Sequence, residues 1–226
     1  MKEEKQKQKT IIICTPGDNF STVWVGCLLN LFSWCCQNNY NPVRSSGISN
    51  NIYYVRQKCL GADVMRGENQ KPFDGKIDYD YILWIDSDTI FNPQQLEKLL
   101  NADVDIIGAL QLFEGGQGYT CGNLDDDYFR KNGIMPYHTD QTIAMAKKNK
   151  KGLIEVDYCG FGFLLIKKGV YEKLEYPWHR PEWFKIDDKK DFSMEDVGFC
   201  INVRKKGFKI YVDPQIRVGH EKKVIY

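Results

Sequence analysis

Tyr81-Ile82-Leu83-Trp84-Ile85-Asp86-Ser87-Asp88 decides the reading of this chain. Five largely apolar residues run into two carboxylates one residue apart. A short apolar run bounded by polar residues predicts a buried strand. The aspartates then stand at its carboxyl end, where open α/β sheets bind ligands. Carboxylate oxygens are hard ligands that suit magnesium or manganese, and such ions commonly also hold substrate phosphates. The stretch therefore points to a metal-bridged diphosphate and a nucleotide-linked substrate. Asp and Ser are equally ordinary turn and cap residues, so the triplet has to be read with its surroundings.

Downstream, Phe91-Asn92-Pro93 leads into Gln94-Gln95-Leu96-Glu97-Lys98-Leu99-Leu100. Asn92 predicts a cap, Pro93 suits the first helical position, and Leu96, Leu99 and Leu100 share one face. Residues 104–110 form a second apolar run and a second strand. Upstream, residues 11–16 read as the first strand, closed by Gly17-Asp18. Residues 20–37 read as a buried helix capped by Asn19 or Ser21, and 42–46 as a short strand. Ser49 is the expected cap of a helix reaching about Leu60, with Ile52, Val55, Cys59 and Leu60 on one side. The polar, glycine-bearing stretch 61–78 reads as a loop.

In the second half, residues 113–151 hold Gly115-Gly116-Gln117-Gly118, the acidic run Asp125-Asp126-Asp127 and a lysine cluster ending in Lys150-Lys151. The glycines lack the Gly-Lys-Ser/Thr ending of a phosphate-binding P-loop and read as a flexible turn. Residues 153–158 alternate as a strand, Cys159-Gly160-Phe161-Gly162 interrupts it, and 163–166 resumes it. Glycine inside a strand marks a bulge or a close backbone approach. A short helix is expected over 170–174. Trp178, His179, Trp183 and Phe184 then lie in a proline-bearing loop, either stacking on a sugar ring or covering the core. Ser193-Met194-Glu195-Asp196 opens the last helix, with Val197, Cys200 and Ile201 on its apolar side and Gly207 as its stop. Residues 208–212 are the final strand, followed by Arg217-Val218-Gly219-His220. This β–α alternation points to a mostly parallel α/β sheet with antiparallel additions in the second half.

The chain has 226 residues, enough for one full core, and a net charge of +1, which offers no electrostatic case for nucleic acid or an acidic membrane. Residues 1–9 read as a solvated, disordered tail without the apolar region of a signal peptide. No apolar stretch reaches the roughly 18 residues of a transmembrane helix. Eight cysteines include the vicinal Cys35-Cys36 but no Cys-x-x-Cys pair. They read as free thiols in a reducing compartment, the cytoplasm, or a host cytoplasm if the chain is viral.

Taken together, from about Thr10 to His220, these pieces resemble the GT-A class of nucleotide-sugar glycosyltransferases. The first strand ending in Thr15-Pro16 resembles the nucleotide-binding edge, and Asp86-Ser87-Asp88 the metal-binding Asp-x-Asp motif. The segment from Tyr158 through Gly160, Phe161 and Gly162 to Leu165 is similar to a glycine-bearing acceptor-side strand. Glu195-Asp196 at a helix start is similar to the Glu-Asp motif of inverting members, and Gly219-His220 to a late metal-binding histidine. The pattern is also similar to small virus-encoded glycosyltransferases, such as those of algal giant viruses.

The resemblance implies one catalytic domain over 10–226: a Rossmann-like, mostly parallel sheet flanked by helices. Its nucleotide-binding half would cover about 10–110 and its acceptor-side half 111–226. It implies a nucleoside-diphosphate sugar donor, with a UDP-hexose the best fit, and a glycan or glycoprotein acceptor. Asp88 is then the direct ligand of Mn2+ or Mg2+, and His220 a further ligand. Asp86 ligates through water or contacts the ribose. Thr15, Pro16, Arg56 and Ser87 serve the nucleotide sugar; Gly160, Phe161, Gly162 and Glu195 serve the acceptor side. Imidazole beside carboxylates favours manganese. Asp196 is the implied general base for single displacement with inversion. A competing account makes Asp196 part of a capping box with Ser193, where the helix dipole keeps its pKa low unless burial offsets it. Arg56 is alternatively a surface helix charge. Arg44-Ser45-Ser46 departs from the class by offering no acid to read the base, which leaves uridine and guanosine both open. A nucleotidyltransferase making nucleotide sugars would be expected to carry a glycine-rich basic loop after the first strand, which Pro16-Gly17-Asp18-Asn19 is not. A non-catalytic carbohydrate-binding domain built on the aromatic loop is the remaining alternative.

Overall fold

The computed structural model describes residues 8–113 and 115–222. The expected tail falls outside this range except at its end, where Lys9 already belongs to the first strand. β1 (Lys9–Pro16) carries the fully buried run Ile11 to Cys14. α1 (Thr22–Gln37) starts two residues later than Phe20, because Ser21 Oγ accepts the Trp24 N–H at 3.0 Å. β2 (Tyr40–Gly47) is longer than expected and pairs with β1 in parallel along its whole length. α2 (Ile52–Cys59) is capped by Asn51, whose Oδ1 accepts the Tyr53 N–H at 2.9 Å, and not by Ser49. Residues 61–78 hold two short 3-10 turns and no other helix or strand.

β3 (Tyr81–Ile85) is buried at every position, as its composition requires. β4 (Thr89–Ile90) follows the acidic turn. α3 (Pro93–Ala102) begins with a complete capping box between Asn92 and Gln95, and Pro93 sits in its first turn. β5 (Ile106–Gln111) is buried throughout. After β6 (Cys121–Gly122), the acidic run turns out to be a helix start. Asp125 caps α4 (Asp126–Asn132), and Asp126 and Asp127 occupy its first turn, where the dipole favours them. α5 (Asp140–Met145) completes the middle segment.

Residues 153–166 are not one interrupted strand. They form β7 (Ile154–Val156), β8 (Tyr158–Cys159) and β9 (Phe163–Lys167), in three different places. β7 pairs with the last strand, β8 with β6, and β9 inserts antiparallel between β3 and β5. The hairpin of β10 (Trp183–Ile186) and β11 (Lys189–Phe192) precedes α6 (Glu195–Lys205). β12 (Ile210–His220) does not stop at Val212. A bulge between Asp213 and Arg217 absorbs Pro214, which cannot donate to a ladder, and the strand continues to His220.

The main sheet runs β2-β1-β3-β9-β5-β12-β4, with β7 also on β12. β2, β1, β3, β5 and β12 share one direction, so the sheet is mixed with a parallel majority. Alternation along the strands splits the core into two layers. Ile11, Ile13, Leu83 and Ile85 pack with Trp24 and Leu31 of α1 and Leu96 and Leu99 of α3. Ile12, Cys14, Ile82 and Trp84 pack with Cys59 of α2 and Phe199, Cys200 and Val203 of α6. Helices therefore cover both faces, and the carboxyl ends of β1, β3, β5 and β12 open on one edge.

Candidate active site

Asp86 and Asp88 sit on the turn between β3 and β4, closed by the Thr89 N–H donating to Asp86 O at 3.1 Å. The two carboxylates face different partners. Asp86 makes a bidentate pair with Arg56, Nη1 to Oδ1 at 2.6 Å and Nη2 to Oδ2 at 3.2 Å. Arg56 projects from α2 and is 2 % exposed, so it is no surface charge. Its guanidinium lies 5.2 Å from the Trp84 ring and 5.0 Å from the Phe161 ring. It also reaches Glu195 Oε1 at 3.4 Å from both Nε and Nη2. Burial alone would lower its pKa; Asp86 and Glu195 outweigh that and raise it, so Arg56 stays charged. Arg56 thus ties the turn after β3 to the start of α6.

Asp88 turns the other way. The β12–β4 register sets His220 opposite Thr89, one residue after Asp88. His220 Nε2 lies 3.0 Å from Asp88 Oδ2, and His220 Nδ1 lies 2.8 Å from Leu112 O. A carbonyl can only accept, so Nδ1 carries a proton. In the neutral ring Nε2 is then a bare lone pair facing a carboxylate oxygen, an arrangement that a proton or a metal cation satisfies. Lys222 Nζ already brings positive charge to the same Asp88 oxygen at 2.8 Å. Burial works to raise the Asp88 pKa, but Lys222 and His220 hold it below the ordinary carboxylate range. The donor set fits a hard or borderline divalent cation with two protein ligands and further positions left for phosphate oxygens and water. Among the described residues no three His, Cys, Asp or Glu side chains gather around one metal position. Asp86, held by Arg56, does not join Asp88 and His220 there.

Asp196 stands in the first turn of α6 and does not belong to a capping box. Met194 occupies the cap position without a side-chain bond, and Ser193 Oγ instead accepts the Glu182 N–H at 2.9 Å. Asp196 Oδ1 accepts the Val197 N–H at 2.7 Å. Burial and the neighbouring Glu195 charge push its pKa up to about 7, against the opposing pull of that hydrogen bond and of Arg56. Asp196 is half-buried and opens on the cleft, and a carboxyl raised to this range suits a base at neutral pH. Glu195 is buried against Arg56 and is not a solvated neighbour.

Two cavities meet at Ile52 and Asp86 to form a cleft along this edge. The first, about 330 Å³, is lined by Pro16, Gly17, Ser49, Asp86, Ser87 and Asp88, among others. The second, about 410 Å³, is lined by Arg56, Thr120, Tyr137, Tyr158, Glu195 and Asp196, among others. A larger cavity of about 580 Å³ beside His138, Met145 and Tyr211 holds neither aspartate of the β3 turn nor Asp196, so size alone does not locate the site.

Some expected site residues stand behind the cleft. Thr15 is fully buried, and its Oγ1 accepts from Arg44 Nε at 2.9 Å. Phe161 is 1 % exposed, packed among Trp84, His179 and Phe199 under Arg56. It supports the site from below and offers no face to a sugar. Gly160 and Gly162 mark close backbone approaches to protein side chains: a Cβ on Gly160 would press on Thr120 at 2.9 Å, and one on Gly162 would overlap the Gln111 side chain. Of the loop aromatics, Trp178 and His179 cover the core, while Trp183 is exposed. Tyr158 opens the expected acceptor-side segment, whereas Tyr137, Lys222 and the Leu112 carbonyl are additions that the sequence does not mark. The antiparallel β6–β8 pair, with Tyr137 bridged to Gly122, and the length of β12 bring these residues there.

No protein-family model matches the chain, and no curated protein matches it. Solved structures do. One is A197 from STIV, 17 % identical with a TM-score of 0.48, each chain covered over 96 %. Another is GalNAc-T7, whose crystal structure was determined with UDP, GalNAc and Mn2+. It is 11 % identical with a TM-score of 0.50, matching 96 % of this chain. The present chain spans 43 % of the length of that one. The fold is GT-A-like, as the match to GalNAc-T7 shows. Among the described residues no helix is long and apolar enough to cross a membrane.

Proposed function

We propose that this chain is a glycosyltransferase that moves a hexose from a nucleoside-diphosphate sugar, a UDP-sugar by preference, to a hydroxyl of a glycan or glycoprotein, with inversion. One observation carries the reading: Asp86 belongs to both halves of a single cleft, with Asp88 and His220 paired at one half and the raised-pKa carboxylate of Asp196 in the other. The half beside Pro16, Gly17 and Ser87 receives the nucleotide and its diphosphate. Asp88 and His220 would hold a manganese or magnesium ion, which when bound supplies charge stabilisation for the leaving diphosphate.

The half walled by Tyr137 and Tyr158 receives the acceptor, whose hydroxyl gives its proton to a carboxylate oxygen of Asp196 as it attacks the anomeric carbon. Glu195 is held by Arg56 and orients the start of α6, so its part is positioning. Asp86 reaches the ribose or a metal-bound water only by sharing its oxygens with Arg56. The cysteines are free, in keeping with a reducing compartment such as the cytoplasm.

The test is a panel of nucleotide sugars, assayed with and without Mn2+, with the anomer of the first product read by proton NMR. The expected result is metal-dependent transfer or donor hydrolysis, and a β-linked product from an α-linked donor. An α-linked product would overturn inversion. Absence of turnover and of donor binding across the panel would overturn the activity.

A further inference from the structure

The hairpin of β10 and β11 has two unlike faces. Trp183 lies opposite Phe192, and Lys185 opposite Lys190, so these four side chains share one face. Phe184 and Ile186 point the other way, where Phe184 meets Phe129 of α4 at 6.2 Å between ring centroids and Ile186 is buried. Arg130 of α4 also holds the tip, its Nε donating to Asp187 Oδ2 at 2.7 Å. At the base the Ser193 N–H donates to Glu182 O at 2.8 Å, and the Glu182 N–H to Ser193 Oγ at 2.9 Å. One face is thus fastened to the protein and the other is held open to solvent. Trp183 is 68 % exposed and Phe192 52 %, their rings 5.9 Å apart. Large exposed side chains in contact with each other, on a braced support, mark a binding face.

That face leads into the cleft. Beyond Phe192 the chain stays extended through Met194, with Ser193 buried between them and tied to Glu182. Met194 is 58 % exposed and lines the acceptor half of the cleft beside Asp196. A ledge therefore runs outward from Asp196 over Met194 to the Trp183–Phe192 pair, and the hairpin register puts Lys185 and Lys190 at its outer end. Lys190 Nζ sits 4.4 Å from the Trp183 ring centroid. Among the described residues neither lysine pairs with a carboxylate, and Asp191 stands on the opposite face with Phe184. An ammonium resting on a ring keeps protons free for an anion. A sugar ring offers an apolar C–H face to an aromatic side chain, and a uronic acid adds a carboxylate for the lysines. Single-stranded nucleic acid also stacks on aromatic rings. Two lysines on a chain of net charge +1 give it little to hold, and the ledge ends at Glu195 and Asp196, which repel phosphate.

We infer that this ledge binds the outer sugars of an acidic oligosaccharide acceptor, with Trp183 and Phe192 under the rings and Lys185 and Lys190 on a carboxylate. The inference rests on the reading of the cleft as the site of glycosyl transfer, and it names the acceptor class. The acceptor is then a chain of sugars whose reacting hydroxyl reaches Asp196 and whose anionic group lies away from it.

The experiment is saturation-transfer NMR of the intact chain, which needs no turnover. The probes are short oligomers of galacturonic acid, of alternating glucuronic acid and N-acetylglucosamine, and of glucose as the neutral counterpart. A short oligodeoxythymidylate forms a separate arm. Trp183→Ala removes the stacking ring at an exposed position, and Lys185→Gln with Lys190→Gln removes the charge. The expected result is binding of at least one acidic oligomer in preference to the glucose oligomer. Binding should weaken roughly tenfold or more in Trp183→Ala. The lysine variant should lose the preference for the acidic probe. Equal binding in a folded Trp183→Ala, no preference for an acidic oligomer, no binding of any sugar, or tighter binding of the oligodeoxythymidylate would each overturn the inference. UDP binding, measured by calorimetry on the same sample, separates the two readings. Its absence, with the oligosaccharide still held through Trp183, would remove the transfer activity and leave the ledge as an acidic-sugar site.

Discussion

Arg56 and Asp86 form a bidentate ion pair, 2.6 and 3.2 Å, between the middle of α2 and the turn that follows β3. The same guanidinium holds Glu195. A planar fork resting over the Trp84 and Phe161 rings lets one residue serve both carboxylates. Removing it would leave one buried and one half-buried carboxylate unpaired. Arg56→Ala should therefore cost about 3–5 kcal/mol of folding stability, and Arg56→Lys an intermediate amount, because a point charge cannot make the bidentate contact. Urea denaturation reads this directly, and a loss below about 1 kcal/mol would show that the pair is not a structural latch.

The meeting of Asp88 with His220 predicts a metal dependence that belongs to those two side chains. Mn2+ should tighten the binding of UDP, measured by calorimetry. Asp88→Ala and His220→Ala should each remove most of that gain without unfolding the chain. Unchanged metal-dependent binding in a folded Asp88→Ala would move the metal elsewhere.

Asp196 makes two predictions with opposite signs. If it is the base, Asp196→Asn should lower turnover roughly a hundredfold or more while donor affinity holds. In the wild type, turnover should rise as pH increases through about 7, as the carboxylate loses its proton, and that limb should vanish in the variant. Its stability should move the other way. A carboxyl whose folded pKa lies above its unfolded value binds more protons in the native state, so its contribution is fully present below the unfolded pKa. That contribution falls as pH rises from about 4 through about 7. Asp196→Asn keeps the acceptor for the Val197 N–H and should raise the melting temperature more at pH 8 than at pH 5. A variant with near-normal turnover and no such pH-dependent gain would remove Asp196 from both roles.

Gly162→Ala tests whether the glycine serves packing. Its new Cβ would displace the Gln111 side chain, whose Nε2 donates to Thr89 Oγ1 at 3.0 Å beside the acidic turn. A destabilisation of about 1–3 kcal/mol is expected from overpacking. A thermal melt indistinguishable from wild type would show that Gln111 can move aside freely.

The sequence by itself determined the elements whose physics is local. Ile82 to Ile85 had to be buried, Asn92-Pro93 had to start a helix, and Asp86-Ser87-Asp88 had to leave a strand at its carboxyl end, because propensity, capping and apolar runs act within a few residues. The order of those pieces was enough for the fold class. What only tertiary structure decided was pairing and burial between distant segments. The run 153–166 looked like one strand with a glycine interruption, yet its parts pair with β12, β6 and β3, because no local signal says which unpaired edge a short strand will fill. The resemblance already gave Asp88 the direct metal contact and Asp86 the ribose or a water-mediated one, but kept both at one metal position. Arg56, thirty positions away from Asp86, and His220, 132 positions away from Asp88, turn them to separate partners. In sequence Asp196 reads as the implied general base, with a rival reading as a helix cap held at low pKa by the dipole. Its desolvation and the charge of Glu195 oppose the dipole, and both follow from how α6 is packed, which no spacing of residues along the chain encodes.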